Sequence, residues 1–339
     1  MFEPHYTLSG HLLANVAAIE RFYGQLEALH LPHKLELNLH RNNLLQSTYA
    51  SNKIEGNPLS LREVTNLLLD DRLPVNRNEK EVTYYFTLLQ ELNKYVDRPL
   101  TLQLVTDIHK DLFTTIHEYA GTIRNEIVAV GKYTKEADKV KFKVKHLPPF
   151  HAKKEIKEAL QELLIWANQQ KDLPIAIKAG VFHHNFLYIH PFEDGNGRVC
   201  RIITALLFMR AGYQINKYFV LDDYYDLDRT NYSDALHRAD EGDLTGWLEY
   251  FSDGVKYSLQ SALGKAQQAI RTLAVSDRPT TRERKVLDMF AKQSELTSKE
   301  VAQALKVSRQ QAHNLLSGLV NKGLVERHGT TKSSFYTVK

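Results

Sequence analysis

Apolar side chains recur at steps of three and four along most of the chain, and that spacing limits the fold more than any other feature. Leu12, Val16, Ile19 and Phe22 fall on one helical face. The series runs from 8 to about 69, then over 79–95 and 102–113, where Asn78 and Thr101 are placed as N-caps. Further helices are expected at 152–169, 175–187, 198–211, 231–240 and 244–263. The period changes once: Val140, Phe142 and Val144 alternate with Lys141, Lys143 and Lys145, the pattern of a half-buried strand. With 127–130 as its partner and 131–139 as its turn, this segment predicts a hairpin. The fold class is therefore mainly α with a minor sheet.

A chain of 339 residues exceeds one typical domain. Ser276, Asp277, Arg278 and Pro279 form a polar break between helical series. The expected organisation is an N-terminal helical region over 1–100, a central helical core over 101–265, a linker over 266–280 and a small module over 281–339. Residues 280–339 hold 11 Lys and Arg against 5 Asp and Glu, which concentrates the basic character of a chain with net charge +4 in its tail. Such asymmetry suggests nucleic acid as a partner of the tail alone.

No apolar run approaches the roughly 18 residues of a membrane span, and mean hydropathy is −0.39. The start Met1-Phe2-Glu3-Pro4-His5 lacks the features of a secretory signal. Cys200 is the single cysteine, so no internal disulfide forms. The expected compartment is the cytoplasm, with no membrane partner.

The tail predicts helices at 282–291, 298–305 and 308–322, then strands at 324–327 and 335–338 around Gly329, Thr330, Thr331 and Lys332. This order resembles a winged helix-turn-helix. Its third helix carries Ser308, Arg309, Gln310, Gln311, His313 and Asn314, side chains able to meet phosphates and base edges in a major groove, with Arg327 and Lys332 on the wing. DNA is thus a partner expected for 281–339. Winged helices also serve as protein-docking or dimerisation units, so a homodimer stays open.

The stretch from His190 to Arg201, HPFEDGNGRVCR, lies between two apolar helices and gathers the chemistry. His190 has a side chain suited to take a proton near neutral pH. Gly195, Asn196 and Gly197 precede a helix, so small residues let backbone N–H groups converge on an anion at its positive end. Arg198 and Arg201, three apart, can clamp phosphate oxygens with planar donor forks. Asp194 offers the hard oxygen that Mg²⁺ takes when it is shared with substrate phosphates. Upstream, Glu55 closes a helix starting near His33, with Gly56 suited to its C′ position. A carboxylate there opposes the helix dipole by about 0.3–1 kcal/mol, so a cationic partner is expected, and Arg201 is the candidate.

His190 to Arg201 resembles the Fic-family signature HPFx[DE]GNGRxxR at all nine specified positions. The resemblance implies a Fic-fold helical core and a protein adenylyltransferase. In that family the motif His deprotonates a target hydroxyl, which attacks the α-phosphorus of ATP and releases pyrophosphate. Carried over residue by residue, His190 is the base, Phe192 anchors the loop and Asp194 holds Mg²⁺. Gly195 to Gly197 line the phosphates, Asn196 helps position them and Arg198 binds the outer ones. Tyr232, with Leu236 and Gly242-Asp243-Leu244, resembles the region near the nucleobase, and His183 is assigned to structure. The hairpin resembles the flap that holds a target segment by strand pairing.

Ser51, Glu55 and Gly56, within motif 51–56, resemble the family's inhibitory motif [ST]xxxE[GN]. The implied arrangement is an intramolecular inhibitory helix whose glutamate pairs with Arg201 and disturbs the γ-phosphate. The expected activity is transfer of AMP from ATP to Ser, Thr or Tyr hydroxyls of a protein target or of the chain itself. The alternatives are removal of AMP at the same site, or a DNA-binding regulator with a nucleotide-sensing core.

Overall fold

Helix α7 (Ile175–Ile189) is apolar on nearly every side, and it is buried accordingly: Ile177, Val181, Phe182 and Phe186 are at most 1% exposed. It packs against α8 (Asn196–Arg210), whose Val199, Ile202, Ile203 and Leu206 are fully buried. Gly180 admits a close neighbour, since a Cβ there would lie 2.7 Å from Leu248 of α11 (Thr245–Ser276). The indole of Trp247 donates to the Gly180 carbonyl at 2.7 Å.

The computed structural model describes residues 2–29, 31–70, 72–136, 139–276, 279–290, 293–329 and 334–338. They divide into two units, 1–265 and 266–339. In the first, the order is α1 (Gly10–Glu27), α2 (His33–Ile54), α3 (Leu61–Leu69), α4 (Arg77–Gln90), a 3-10 turn (Leu92–Tyr95) and α5 (Leu102–Phe113). Strands β1 (Val130–Glu136) and β2 (Lys139–His146), then α6 (Lys153–Gln169), precede α7 and α8. The short α9 (Asp222–Leu227) and α10 (Arg229–Ala239) lead into α11. Thr101 caps α5 as expected, accepting from Leu104 N–H. The preceding helix starts two residues earlier than expected, with Asn76 rather than Asn78 as its cap.

The hairpin forms with a different register of roles. β1 takes in much of what was expected to be turn, pairing Gly131 with Val144 and Glu136 with Lys139, while 127–129 stay outside it. Phe142 and Val144 are 41% and 51% exposed, so β2 is not half-buried, because a two-stranded ribbon has no second layer of its own. Ala137 and Asp138 of the expected turn lie outside the described residues. Helix α11 runs on to Ser276, so most of the expected linker 266–280 is helical; Asp277 and Arg278 lie outside the described residues.

The second unit holds α12 (Thr281–Phe290), β3 (Glu295–Leu296), α13 (Ser298–Leu305), α14 (Arg309–Asn321), β4 (Val325–His328) and β5 (Phe335–Val338). The strands order β3-β5-β4, all antiparallel, and β3 is an element the sequence pattern did not signal because it is two residues long. Val286, Leu296, Val301, Leu316, Leu319 and Tyr336 form its core. Thr330, Thr331 and Lys332, expected in the wing, lie outside the described residues. Among the described residues no helix is long and apolar enough to cross a membrane.

Candidate active site

The loop between α7 and α8 is held from four sides. His190 caps α7 in the left-handed region at φ 51°, a conformation that costs a non-glycine residue about 1–2 kcal/mol. Buried Arg124 offsets that cost: its guanidinium donates to the carbonyls of His190 (2.6 Å), Glu126 (2.7 Å), Phe150 (2.8 Å) and Ile189 (3.2 Å). Phe192 is fully buried and stacks on His109 with ring centroids 3.8 Å apart. The Asn196 amide accepts from Phe192 N–H (2.9 Å) and donates to the Phe192 carbonyl (2.8 Å), so this side chain braces the loop. Gly195, at φ 80°, caps α8 where a Cβ would strike Phe113 at 2.3 Å, so only glycine fits.

Burial pushes the His190 imidazole down to about 4, a little offset by its contact with the Leu187 carbonyl, and nearby His146 and Arg124 lower it further. It is neutral near pH 7. Nδ1 lies 3.2 Å from that carbonyl, which can only accept, so Nδ1 carries the proton and Nε2 keeps its lone pair.

Glu55 and Arg201 meet. Arg201 donates to Glu55 Oε1 at 2.8 Å, to Ser51 Oγ at 2.7 Å and to the Ser51 carbonyl at 3.0 Å. Gly56 takes the left-handed φ of 89° just past the end of α2. Gly197 makes room for the pair, since a Cβ there would stand 2.1 Å from Glu55 Oε1. Burial alone would lower the Arg201 guanidinium, but Glu55, Tyr232, Tyr85 and Asp222 hold it above its usual range.

Asp222, on α9, was not signalled by the sequence. It lies 3.4 Å from Arg201 and accepts from Ser47 Oγ, and burial pushes its carboxyl up to about 6 against the opposing pull of Arg201.

Arg198 departs from its expected place. It bonds Glu81 at 3.0 Å and Asp194 at 3.4 Å and lies over the Phe113 ring, 3% exposed. Three helical steps separate it from Arg201 by about 60° around the axis, which is enough to send one guanidinium towards α4 and α5 and the other towards α2. Asp194 accepts from Gly195 N–H at 2.6 Å and meets Arg77 at 3.0 Å and His117 at 3.4 Å. Burial would raise its carboxyl, but Arg198, the Gly195 N–H, His117 and Arg77 outweigh that and hold it below the ordinary range.

A cavity of about 460 Å³ opens beside the loop, lined by Glu55, Gly197, Arg201, His190 and Tyr232 among others; neither Arg198 nor Asp194 lines it. Tyr232 forms part of the wall with its hydroxyl bonded to His183 (2.8 Å) and its ring stacked on Tyr225. Its position combines core packing with one edge on the cavity. The cavity is also lined by His146, His184, His237 and Asp240, brought together from β2, α7 and the end of α10. These four are scattered in the sequence and match no motif.

Residues 99–208 match the model of the Fic/DOC family, and residues 280–332 match that of the MarR family. Protein adenylyltransferase fic-1 of Caenorhabditis briggsae is 26% identical over 275 residues, 77% of this chain and 50% of that protein. Protein adenylyltransferase Fic of Culex quinquefasciatus is 26% identical over 254 residues, 71% of this chain and 46% of that protein. The chain therefore spans about half the length of these curated relatives. Among solved structures, a Fic family protein from Desulfovibrio desulfuricans G20 superposes with a TM-score of 0.66 at 21% identity, covering 100% of this chain and 98% of the other. Fic-1 from C. elegans gives 0.59 at 22%, covering 76% of this chain and 72% of that one. Both show likeness of fold.

Proposed function

Since the chain carries a Fic/DOC domain and a C-terminal MarR-type winged helix, we propose that it transfers AMP from ATP to a hydroxyl of a protein target or of itself, under restraint by Glu55. One observation carries this. A neutral imidazole, a buried guanidinium and the N-terminal turn of a helix converge on one cavity. His190 Nε2 takes the proton of the hydroxyl as its oxygen bonds to the α-phosphorus, and the bond to the β-phosphate oxygen breaks to release pyrophosphate. Arg201 and the N–H groups opening α8 bind the phosphate chain. In the structure as it stands Glu55 occupies Arg201, so the outer phosphate meets a carboxylate where it needs a cation.

Asp194 is the carboxylate that would hold Mg²⁺: it is ionised and partly exposed, and the ion would take the place of exposed Arg77 on its Oδ2 while phosphates supply other oxygens. Its neighbours Glu81 and Arg198 are locked to each other, so Arg198 orients Asp194, and exposed Arg77 covers the remaining oxygen. When bound, the ion would neutralise phosphate charge.

The test compares donors. Incubation with α-labelled and γ-labelled ATP, followed by intact mass, should give label from the α position only and a gain of about 329 Da. Label from the γ position with a gain of about 80 Da would replace AMP transfer by phosphate transfer.

The winged helix supports a second contact, with DNA. Arg309, Gln310, Gln311 and Asn314 stand exposed in the first turns of α14, and Arg327 is exposed on β4. Phosphate contacts make such binding fall steeply with salt. A gel-shift series should show complexes at low salt that dissolve as salt rises, and no complex at low salt removes this partner.

A further inference from the structure

Asp240 follows α10 and faces three histidines. His146 Nδ1 lies 2.8 Å and His237 Nδ1 3.3 Å from its Oδ2, while His184 Nε2 lies 3.1 Å from its Oδ1. Proton accounting makes the first contact unusual. His146 Nε2 is 3.0 Å from the Tyr188 carbonyl, which can only accept, so Nε2 carries a proton. A neutral ring then turns the Nδ1 lone pair towards a carboxylate oxygen. Two lone pairs at that distance repel, so the contact is made either by a second proton on His146 or by a cation bound between the two atoms.

We propose that His146, His237 and Asp240 form a site for a borderline first-row divalent ion of the zinc and cobalt class, distinct from any magnesium at Asp194. The donor set, two imidazole nitrogens and one carboxylate oxygen, suits such ions and not magnesium. The three ligand atoms lie within 4.8 Å of one another. Bonds of about 2.0–2.2 Å to one ion place neighbouring ligand atoms about 3–3.5 Å apart, beside 2.8 Å and 3.3 Å from Asp240 Oδ2 to the Nδ1 atoms of His146 and His237. Two ligands also have the outer partners that orient metal-binding groups. The Tyr188 carbonyl holds the far nitrogen of His146, and His184 holds the far oxygen of Asp240. The buried Nδ1 of His184 has no partner, which agrees with Nε2 as its protonated nitrogen.

The other cluster of similar composition, Glu81, His117 and Asp194, is different in kind. Arg77 and Arg198 already supply its cations. No lysine or arginine pairs with Asp240 among the described residues. The site's ligands line the active-site cavity, and the His146 ring is centred 6.5 Å from that of His190. An ion here ties the end of β2, at the base of the hairpin, to the end of α10.

The experiment uses the untagged full chain, stripped with chelator and free of nucleotide, so that it stands apart from the transfer reaction. Cobalt(II) should bind in one equivalent by equilibrium dialysis, and should develop visible d–d absorption that zinc displaces. His237→Ala removes a side chain that makes a single polar contact in the cluster beside its stacking on His146, and should weaken cobalt binding at least about tenfold. Asp240→Asn should do the same, while His117→Ala at the other cluster should leave binding unchanged. A stripped wild-type chain with native circular dichroism that takes up no cobalt overturns the site and leaves a second proton on His146 as the cation. Equal binding by wild type and His237→Ala overturns it as well.

Discussion

His190→Ala, made in a Glu55→Gly background so that transfer is easily measured, should cut AMP incorporation by about 10²–10⁴-fold, the usual contribution of a positioned general base. The size follows from geometry: the left-handed backbone at 190 and the Nδ1 contact with Leu187 leave Nε2 as the proton acceptor at the cavity. Alanine bears the same left-handed φ without a tether, so His190→Asn, which tolerates that region, is the companion variant. Both should keep the thermal midpoint within a few degrees and both should lose transfer. The pH profile supplies an independent sign. A base must be unprotonated, and burial has pushed this imidazole down to about 4. The rate should therefore stay level from pH 9 down to about pH 6 and fall as pH approaches 4. A break near the ordinary histidine value, or transfer by His190→Ala within about threefold of its parent, would remove the base from His190.

How much of this was legible depended on whether a residue's partner lay nearby in the chain. Thr101 capping α5, the helical series and the loop from His190 to Gly197 are local patterns, and local geometry decides them. The meeting of Glu55 with Arg201 spans 146 residues, yet charge reasoning reached it, because a carboxylate at a helix C-terminus needs a cation. Arg198 was misplaced because spacing along a helix gives the angle between side chains and not what stands at each angle; here Glu81 and Phe113 take the guanidinium. Asn196 was expected to help position the phosphates, and its amide closes the loop upon Phe192, a contact that spacing alone does not show. Asp222, the bracing role of Arg124 and the meeting of the histidines around Asp240 carried no signal. Each comes from an element whose relation to the loop is set by tertiary packing. The strand alternation of β2 was present, but a ribbon with no covering layer left its apolar face exposed.

Glu55→Gly should raise the initial rate of AMP incorporation by about 10–100-fold. The contact it removes is a charge-assisted hydrogen bond of 2.8 Å to a guanidinium that is almost wholly buried. Such a bond contributes about 1.5–3 kcal/mol, and each 1.4 kcal/mol is a factor of about ten in an equilibrium. Binding the outer phosphate at Arg201 must displace the carboxylate, so the competent population is reduced by that factor and recovers when the competitor is gone. The fold should survive the change. Arg201 keeps Asp222 at 3.4 Å and both contacts to Ser51, so its charge is not stranded, and the end of α2 loses a carboxylate that opposed its dipole. Because label also accumulates if AMP removal is lost, the initial rate is measured with α-labelled ATP and paired with a chase in unlabelled ATP. A faster initial rate identifies Glu55 as the restraint on transfer. An unchanged initial rate with label that merely persists through the chase would make Glu55 part of AMP removal instead, and a lower rate on both counts would leave the pair a structural tie between α2 and α8.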